Sequence, residues 1–240
     1  MLSPAERFVS GGYSISRRSP RPERVSADLI QAQILSASTC ICETVPDLWA
    51  IRWASIADAE RVAAAARFGI SSESVPLVME WFTGHLDANT AGWPNVFYYL
   101  DVAREFVLRF LQDAGEYVIL GIGLPERFVN DFLSNESSGP RLAVSGVYEM
   151  IRRGNAPDPS GRPLGFEILN YQYGTVHSWL CDGLEADVAV KYSIKPNPSG
   201  FISALEDAAS AAQFCASGDA GSGSGEWLPW LITEYETRRS

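Results

Sequence analysis

The chain has 240 residues, of which 46% are hydrophobic and 20% are charged, and its formal net charge is −10. A chain of this length and composition can bury a sizeable core, which excludes disorder throughout and means that folding requires neither a metal nor a disulfide. The acidic balance excludes a general affinity for nucleic acid or for anionic membranes, because both attract basic surfaces.

The sequence lacks the features of a secreted or membrane-spanning protein. Residues 1–16 contain no apolar run long enough for a secretory core, and several arginines follow them. The most apolar stretch, 117–124, is far too short to cross a bilayer. We therefore expect a cytoplasmic protein. In that compartment its cysteines would be free thiols that pack as small hydrophobic side chains. They are Cys40, Cys42, Cys181 and Cys215.

The N-terminal half is predicted to contain both strands and helices. Residues 13–18 alternate as a strand does, and the prolines that follow indicate a loop. Two short runs rich in β-favouring residues, 34–43 and 48–54, predict adjacent strands. Helical composition and spacing then predict helices at 56–68, 76–85 and 102–112.

The C-terminal half begins with the compact β-type run 117–123, which predicts the most buried strand. Helices are predicted at 124–133, 144–153, 177–192 and 204–215, and a strand at 164–173. Residues 135–140 and 155–163 indicate loops. The Gly/Ser tract 218–225 predicts a flexible or looped segment, after which residues 226–232 close the ordered chain.

These elements favour an α+β fold. Strands and helices are intermixed, but no strand–helix–strand unit repeats regularly. We expect a single domain over residues 1–240, with a central, mostly antiparallel or mixed sheet and helices packed on it. A three-layer α/β arrangement is the alternative.

The sequence carries no recognisable cofactor or metal motif. Phosphate-binding fingerprints are missing, and two histidines without any Cys-x-x-Cys pair predict no metal site and no cofactor. His177 and Cys181 lie four residues apart, so on a helix they would share a face near the carboxylate of Glu185. These three residues form the catalytic alternative, a thiol-dependent hydrolase or transferase. The competing interpretation is a structural helix that packs inward.

A second set of residues is a candidate partner-binding surface. Two tryptophans, Trp227 and Trp230, flank a proline after the Gly/Ser tract, and exposed tryptophan is typical of interface anchors. The alternative is that this segment seals the core as a final edge element. The acidic residues of the surface are Asp182, Glu185 and Asp187.

Several segments resemble bacterial cytoplasmic proteins of the immunity type, which accompany polymorphic toxins. They are GFEIL at 165–169, HSWLC at 177–181, GLE at 183–185 and WLPWL at 227–231, with earlier pieces at 13–22, 40–42 and 92–97. The resemblance implies a non-enzymatic protein that binds a toxin domain and neutralises it by occlusion. A basic nuclease would suit the charge of −10.

Overall fold

A computed structural model describes most of the chain. The described residues are 6–21, 23, 25–30, 33–38, 48, 51, 58–93, 95–111, 117–134, 145–172, 175–217 and 225–237. The predicted loop 135–140 lies outside them, as do Cys40, Cys42 and the Gly/Ser tract up to residue 224.

One open sheet of seven strands organises the fold. Its strands are β1 (Phe8–Arg17), β4 (Ala91–Gly92), β5 (Val96–Phe97), β6 (Tyr117–Pro125), β7 (Arg162–Gln172), β8 (Thr175–Ser178) and β9 (Glu226–Tyr235). Their order across the sheet is β4-β5-β1-β6-β9-β7-β8, and every neighbouring pair is antiparallel. Two further strands, β2 (Ser19–Pro20) and β3 (Gln33–Ile34), form a small separate ladder.

Seven α-helices have described bounds. They are α1 (Asp58–Ala66), α2 (Val75–Asp87), α3 (Leu100–Phe110), α4 (Val129–Ser134), α5 (Gly146–Arg153), α6 (Glu185–Tyr192) and α7 (Leu205–Ala216). A left-handed Gly154 ends α5, which is the role that glycine fills most readily. None of the described helices is long and apolar enough to cross a bilayer.

The helices cover both faces of the sheet. Side chains alternate along a strand, so the odd-numbered and even-numbered residues of β9 face opposite sides. The odd set contributes to two hydrophobic clusters, one with α1, α2 and α3 and the other with α6 and α7. The even set packs against α4 and α5. The arrangement confirms the predicted single-domain α+β fold with a mostly antiparallel central sheet.

The closing segment is a central strand and not the predicted edge element. β9 pairs with β6 on one side and β7 on the other. Proline is unusual in such a strand because it donates no ladder hydrogen bond. The ladder between β6 and β9 reaches only to Leu231, so Pro229 lies where β9 pairs with β7 alone. One side of the backbone at Pro229 therefore needs no ladder partner.

Three predicted elements are wrong. Of the strand predicted over 34–43, residues 34–38 are described, and only Ile34 among them lies in a strand. Residues 48–54 were expected to be a strand, but Leu48 and Ile51 are helical, and their spacing of three places both on one buried helix face. The helix predicted over 177–192 begins only at Glu185, because β8 and a short 3₁₀ helix, Trp179–Cys181, occupy its first part. The left-handed φ of +69° at Gly183 interrupts any continuous helix there.

A buried carboxylate, missed by the sequence analysis, ties an irregular segment to the sheet. Glu167 of β7 is fully buried, and its carboxylate accepts hydrogen bonds from the Ser36 hydroxyl and, at 3.0 Å, from the Ala37 N–H. The Ser38 hydroxyl donates to the Val176 carbonyl at 2.9 Å. Residues 35–38 lack a strand ladder, so these side-chain bonds position them.

Removal of this carboxylate should destabilise the fold. We expect Glu167→Ala to lower the free energy of unfolding by about 2–4 kcal/mol, because a buried hydroxyl and a buried N–H lose their acceptor. Urea unfolding measures the effect. The matched control is Glu206→Ala, which breaks an exposed ion pair with Arg127 and should change stability by less than about 0.5 kcal/mol. Equal effects of the two substitutions would contradict the assignment.

Candidate functional site

The predicted Cys–His pair is not arranged for catalysis. His177 lies on β8, whereas Cys181 ends the following 3₁₀ helix, so the two side chains do not share a helix face. Cys181 is 2% exposed and disulfide-bonded, and its sulfur lies 3.6 Å from the Ser38 hydroxyl. A nucleophilic thiolate is therefore not available at this position.

The cysteine prediction holds for one residue and fails for another. Cys215 is a free, buried thiol, as expected, and burial raises the pKa of that thiol to about 12. Cys181 was also expected to be a free thiol, but it is disulfide-bonded. Cys215 is accordingly an inert, thiol-form side chain at neutral pH.

His177 and Trp227 are brought into one row by the strand register. His177 lies opposite Asn170, and Asn170 lies opposite Trp227. Directly opposed residues in antiparallel strands share a face, so the three side chains stand side by side. The Asn170 Oδ1 atom and the Trp227 Nε1 atom are buried without a hydrogen-bond partner among the described residues.

The predicted partner-binding residues separate into two groups. Asp182 and Asp187 are exposed. Glu185 is 0% exposed at the start of α6, where one carboxylate oxygen accepts a 2.7 Å bond from the Ser26 N–H. Burial raises its pKa, and the N–H of Ser26 opposes that effect. The prediction that Glu185 contacts a partner is therefore wrong, since its side chain fixes the segment before β3.

The two tryptophans are also excluded from the partner surface. Trp227 is 3% exposed and Trp230 is 1% exposed. They project to opposite faces of β9 and belong to different hydrophobic clusters. The separation of three residues on a strand makes a shared aromatic surface geometrically impossible. Each tryptophan instead fills the core on its own side.

A tyrosine-lined cleft is a concave site that sequence reasoning did not find. Its volume is about 1270 Å³. It lies between β1, β6 and β9, the N-terminal end of α3 and the loop 155–160. Tyrosines form much of its wall: Tyr13, Tyr98, Tyr99, Tyr117 and Tyr235. Its charged residues are Asp101, Arg104, Asp158, Arg162, Glu234 and Glu236.

Two tyrosines form the floor and hold the loop above it. The rings of Tyr13 and Tyr235 meet edge to face with centroids 5.4 Å apart. The Tyr235 hydroxyl donates to the Asp158 carbonyl at 2.9 Å, and the Ser10 N–H donates to the Asn155 carbonyl at 2.7 Å. These bonds anchor both ends of the loop, which makes this part of the wall a rigid surface.

The protonation states in the cleft follow from burial and hydrogen bonding. Burial raises the pKa of Tyr13 and of Tyr235, so both phenols are neutral at physiological pH. Hydrogen bonds from the Ser160 hydroxyl and N–H lower the pKa of Asp158, which is therefore ionised. The cleft thus combines neutral aromatic walls with a fixed negative charge, an arrangement suited to binding.

Glycines provide the space that the floor requires. A Cβ atom at Gly121 would lie 2.7 Å from the Tyr235 ring, and one at Gly161 would lie 2.6 Å from the same ring. The sequence alone indicates that two of the cleft tyrosines face the core side of the sheet. Tyr13 and Tyr117 each lie two residues from a core isoleucine, Ile15 or Ile119, and so on the same face. Only the pairing of β6 with β9 brings Tyr235 to them.

Comparison with known proteins adds no assignment. No protein-family model, no curated protein and no solved structure matches this chain. A functional proposal must therefore start from the residues and the geometry of the cleft.

A substitution that adds a methyl group at the floor of the cleft should destabilise the fold. We expect Gly121→Ala to reduce the free energy of unfolding by about 1–3 kcal/mol, because the new methyl group displaces the Tyr235 ring. The matched control is Gly84→Ala in α2, where a Cβ meets nothing within 4 Å. That change should stabilise the protein by roughly 0.5–1 kcal/mol, since alanine is the better helix former. Thermal unfolding shows whether each variant is less stable or more stable than the unaltered protein. An unchanged stability of Gly121→Ala would contradict this account.

The bonded state of Cys181 can be tested by alkylation. Protein purified without reductant should resist iodoacetamide at Cys181 even after denaturation, whereas Cys215 should react once it is unfolded. Mass spectrometry of proteolytic peptides reads out both residues. Added reductant should make Cys181 reactive and serves as the internal control. Alkylation of Cys181 in the denatured but unreduced protein would contradict the disulfide.

Proposed function

We propose that the chain is a non-enzymatic binding protein of the immunity type, which neutralises a basic toxin domain by occluding its active site. The observation that carries the proposal is the cleft, where tyrosine rings adjoin carboxylates on a wall anchored by hydrogen bonds. Tyrosine gives large contact area with little conformational freedom to lose, which suits protein recognition.

The charge of the whole molecule supports the same partner class. A net charge of −10 accelerates encounter with a basic protein, such as a nuclease, and favours binding at the basic surface that would otherwise hold its nucleic-acid substrate. Carboxylates placed against basic groups also tighten the complex once it forms. Asp182 and Asp187 are exposed, and both residues add to this negative surface.

The enzyme alternative has lost its support. A thiol-dependent hydrolase needs a free thiolate beside a base. Cys181 is disulfide-bonded, and its residue is 2% exposed. Reduction of the bond would not by itself give a substrate access to the sulfur, since burial is set by the surrounding core. The thiol predicted to pair with His177 is therefore not accessible.

We infer a cytoplasmic location, on the sequence arguments given above. Disulfides are rare in a reducing compartment, so the Cys181 bond is an exception to the pattern expected there. Cys181 lies in a large hydrophobic cluster around Trp179 and Leu180.

Co-expression tests the proposed function. The chain should protect cells against the toxin-like product of the neighbouring gene and should elute with that product as one complex. Raising the salt concentration should weaken the complex, since its association is electrostatic in part. The control is the toxin expressed with an unrelated acidic protein of similar size, which should not protect. Absence of both complex and protection would overturn the proposal.

A further inference from the structure

The charges that line the cleft do not balance. Four of its six charged residues are carboxylates and two are arginines, which leaves a net charge of −2 at this site. One arginine is paired at the rim, where Arg162 forms an ion pair with Glu234. A ligand in the cleft therefore meets an excess of negative charge.

The second arginine is likewise held by the protein. Arg104 donates from Nε to the Glu236 carbonyl at 3.1 Å and from Nη1 to the Asp101 carboxylate at 3.4 Å. Its side chain is 16% exposed, so the guanidinium is part of the wall. Asp101 also lies in the first turn of α3, where a carboxylate compensates the positive end of the helix. Both arginines therefore already pair with a carboxylate of the protein.

Two carboxylates in the cleft remain available to a ligand. Asp158 uses Oδ1 to accept from Ser160, and within the described part of the chain its Oδ2 accepts no hydrogen bond. The side chain of Glu236 is exposed and makes no ion pair with any described residue. These two groups are the acceptors that a bound cation would find.

An aromatic face lies in the same cleft. Tyr99 is 51% exposed at the N-cap position of α3, next to the acidic residue of the first turn. A cation above a tyrosine face is attracted by the ring quadrupole, and a nearby carboxylate strengthens the attraction. The guanidinium of arginine suits this combination because it is planar, stacks on rings and donates several hydrogen bonds at once.

We propose that the cleft receives an arginine-rich segment of the toxin, with Asp158 and Glu236 as acceptors and Tyr99 as the stacking face. This inference rests on the proposed function, because the segment belongs to the toxin partner. It assigns recognition to the cleft and not to the surface around Asp182 and Asp187. The occupant is a protein segment because the cleft, at about 1270 Å³, exceeds the usual size of a small-molecule pocket.

A pair of charge-matched double variants tests the assignment. The cleft variant carries Asp158→Asn and Glu236→Gln, and the control carries Asp182→Asn and Asp187→Asn, so each loses two negative charges. The probe is a fluorescent hexa-arginine peptide, whose Kd is measured by anisotropy at 0.15 M salt. We expect the cleft variant to bind about tenfold or more weakly. The control should change by less than about threefold. Tyr99→Ala should weaken binding by about threefold.

The outcomes separate the two proposals. Equal loss in both double variants would mean that hexa-arginine follows net charge alone, which overturns the cleft assignment. A cleft variant that loses the peptide but still protects cells fully against the toxin would overturn it as well, while the proposed function stands. Loss of protection in the cleft variant alone, with an unchanged melting temperature, supports both. If even the unaltered chain gives no protection, the proposed function fails whatever the peptide does.

Discussion

The fold depends on the last strand of the chain taking the central place in the sheet. β9 is the only described strand that pairs with both β6 and β7, so it joins the β1–β6 half to the β7–β8 half. Its two faces bury side chains in all three hydrophobic clusters. The same strand ends in the cleft, where Glu234 and Tyr235 line the wall. The cleft is therefore built on the strand that joins the two halves of the sheet.

This topology affects both the rate of folding and the rigidity of the cleft. The first and last strands lie on either side of β6, so closing the sheet requires contacts between the two ends of the chain, and such non-local pairing is slow. Once closed, the sheet fixes Tyr13 and Tyr235 against each other and, through Asp158, fixes the loop above them. A surface held in this way loses little conformational freedom on binding.

The sequence predicted those parts of the fold that local pattern determines. The helices α1, α2, α3 and α7 and the strands β6 and β7 follow from spacing and from turn residues. The errors arose where tertiary contacts override local preference. His177 and Ser178 become strand residues because β7 offers them a ladder, and Leu48 becomes helical although its neighbours favour β structure. The cleft could not be predicted from the sequence because its tyrosines come from positions as distant as 13 and 235.

Buried polar groups show why titratable residues alone were a poor guide to the site. Glu167 and Glu185 are the most deeply buried acids of the described residues, and each accepts hydrogen bonds from residues outside any strand. Glu185 holds Ser26 against α6, and Glu167 holds residues 36–37 against β7. Glu236, which we propose as a binding acid, is exposed, and no pattern in the sequence around it predicts that role. In this fold, an acid that the protein already satisfies is architectural, and a binding acid is one that the fold exposes without a partner.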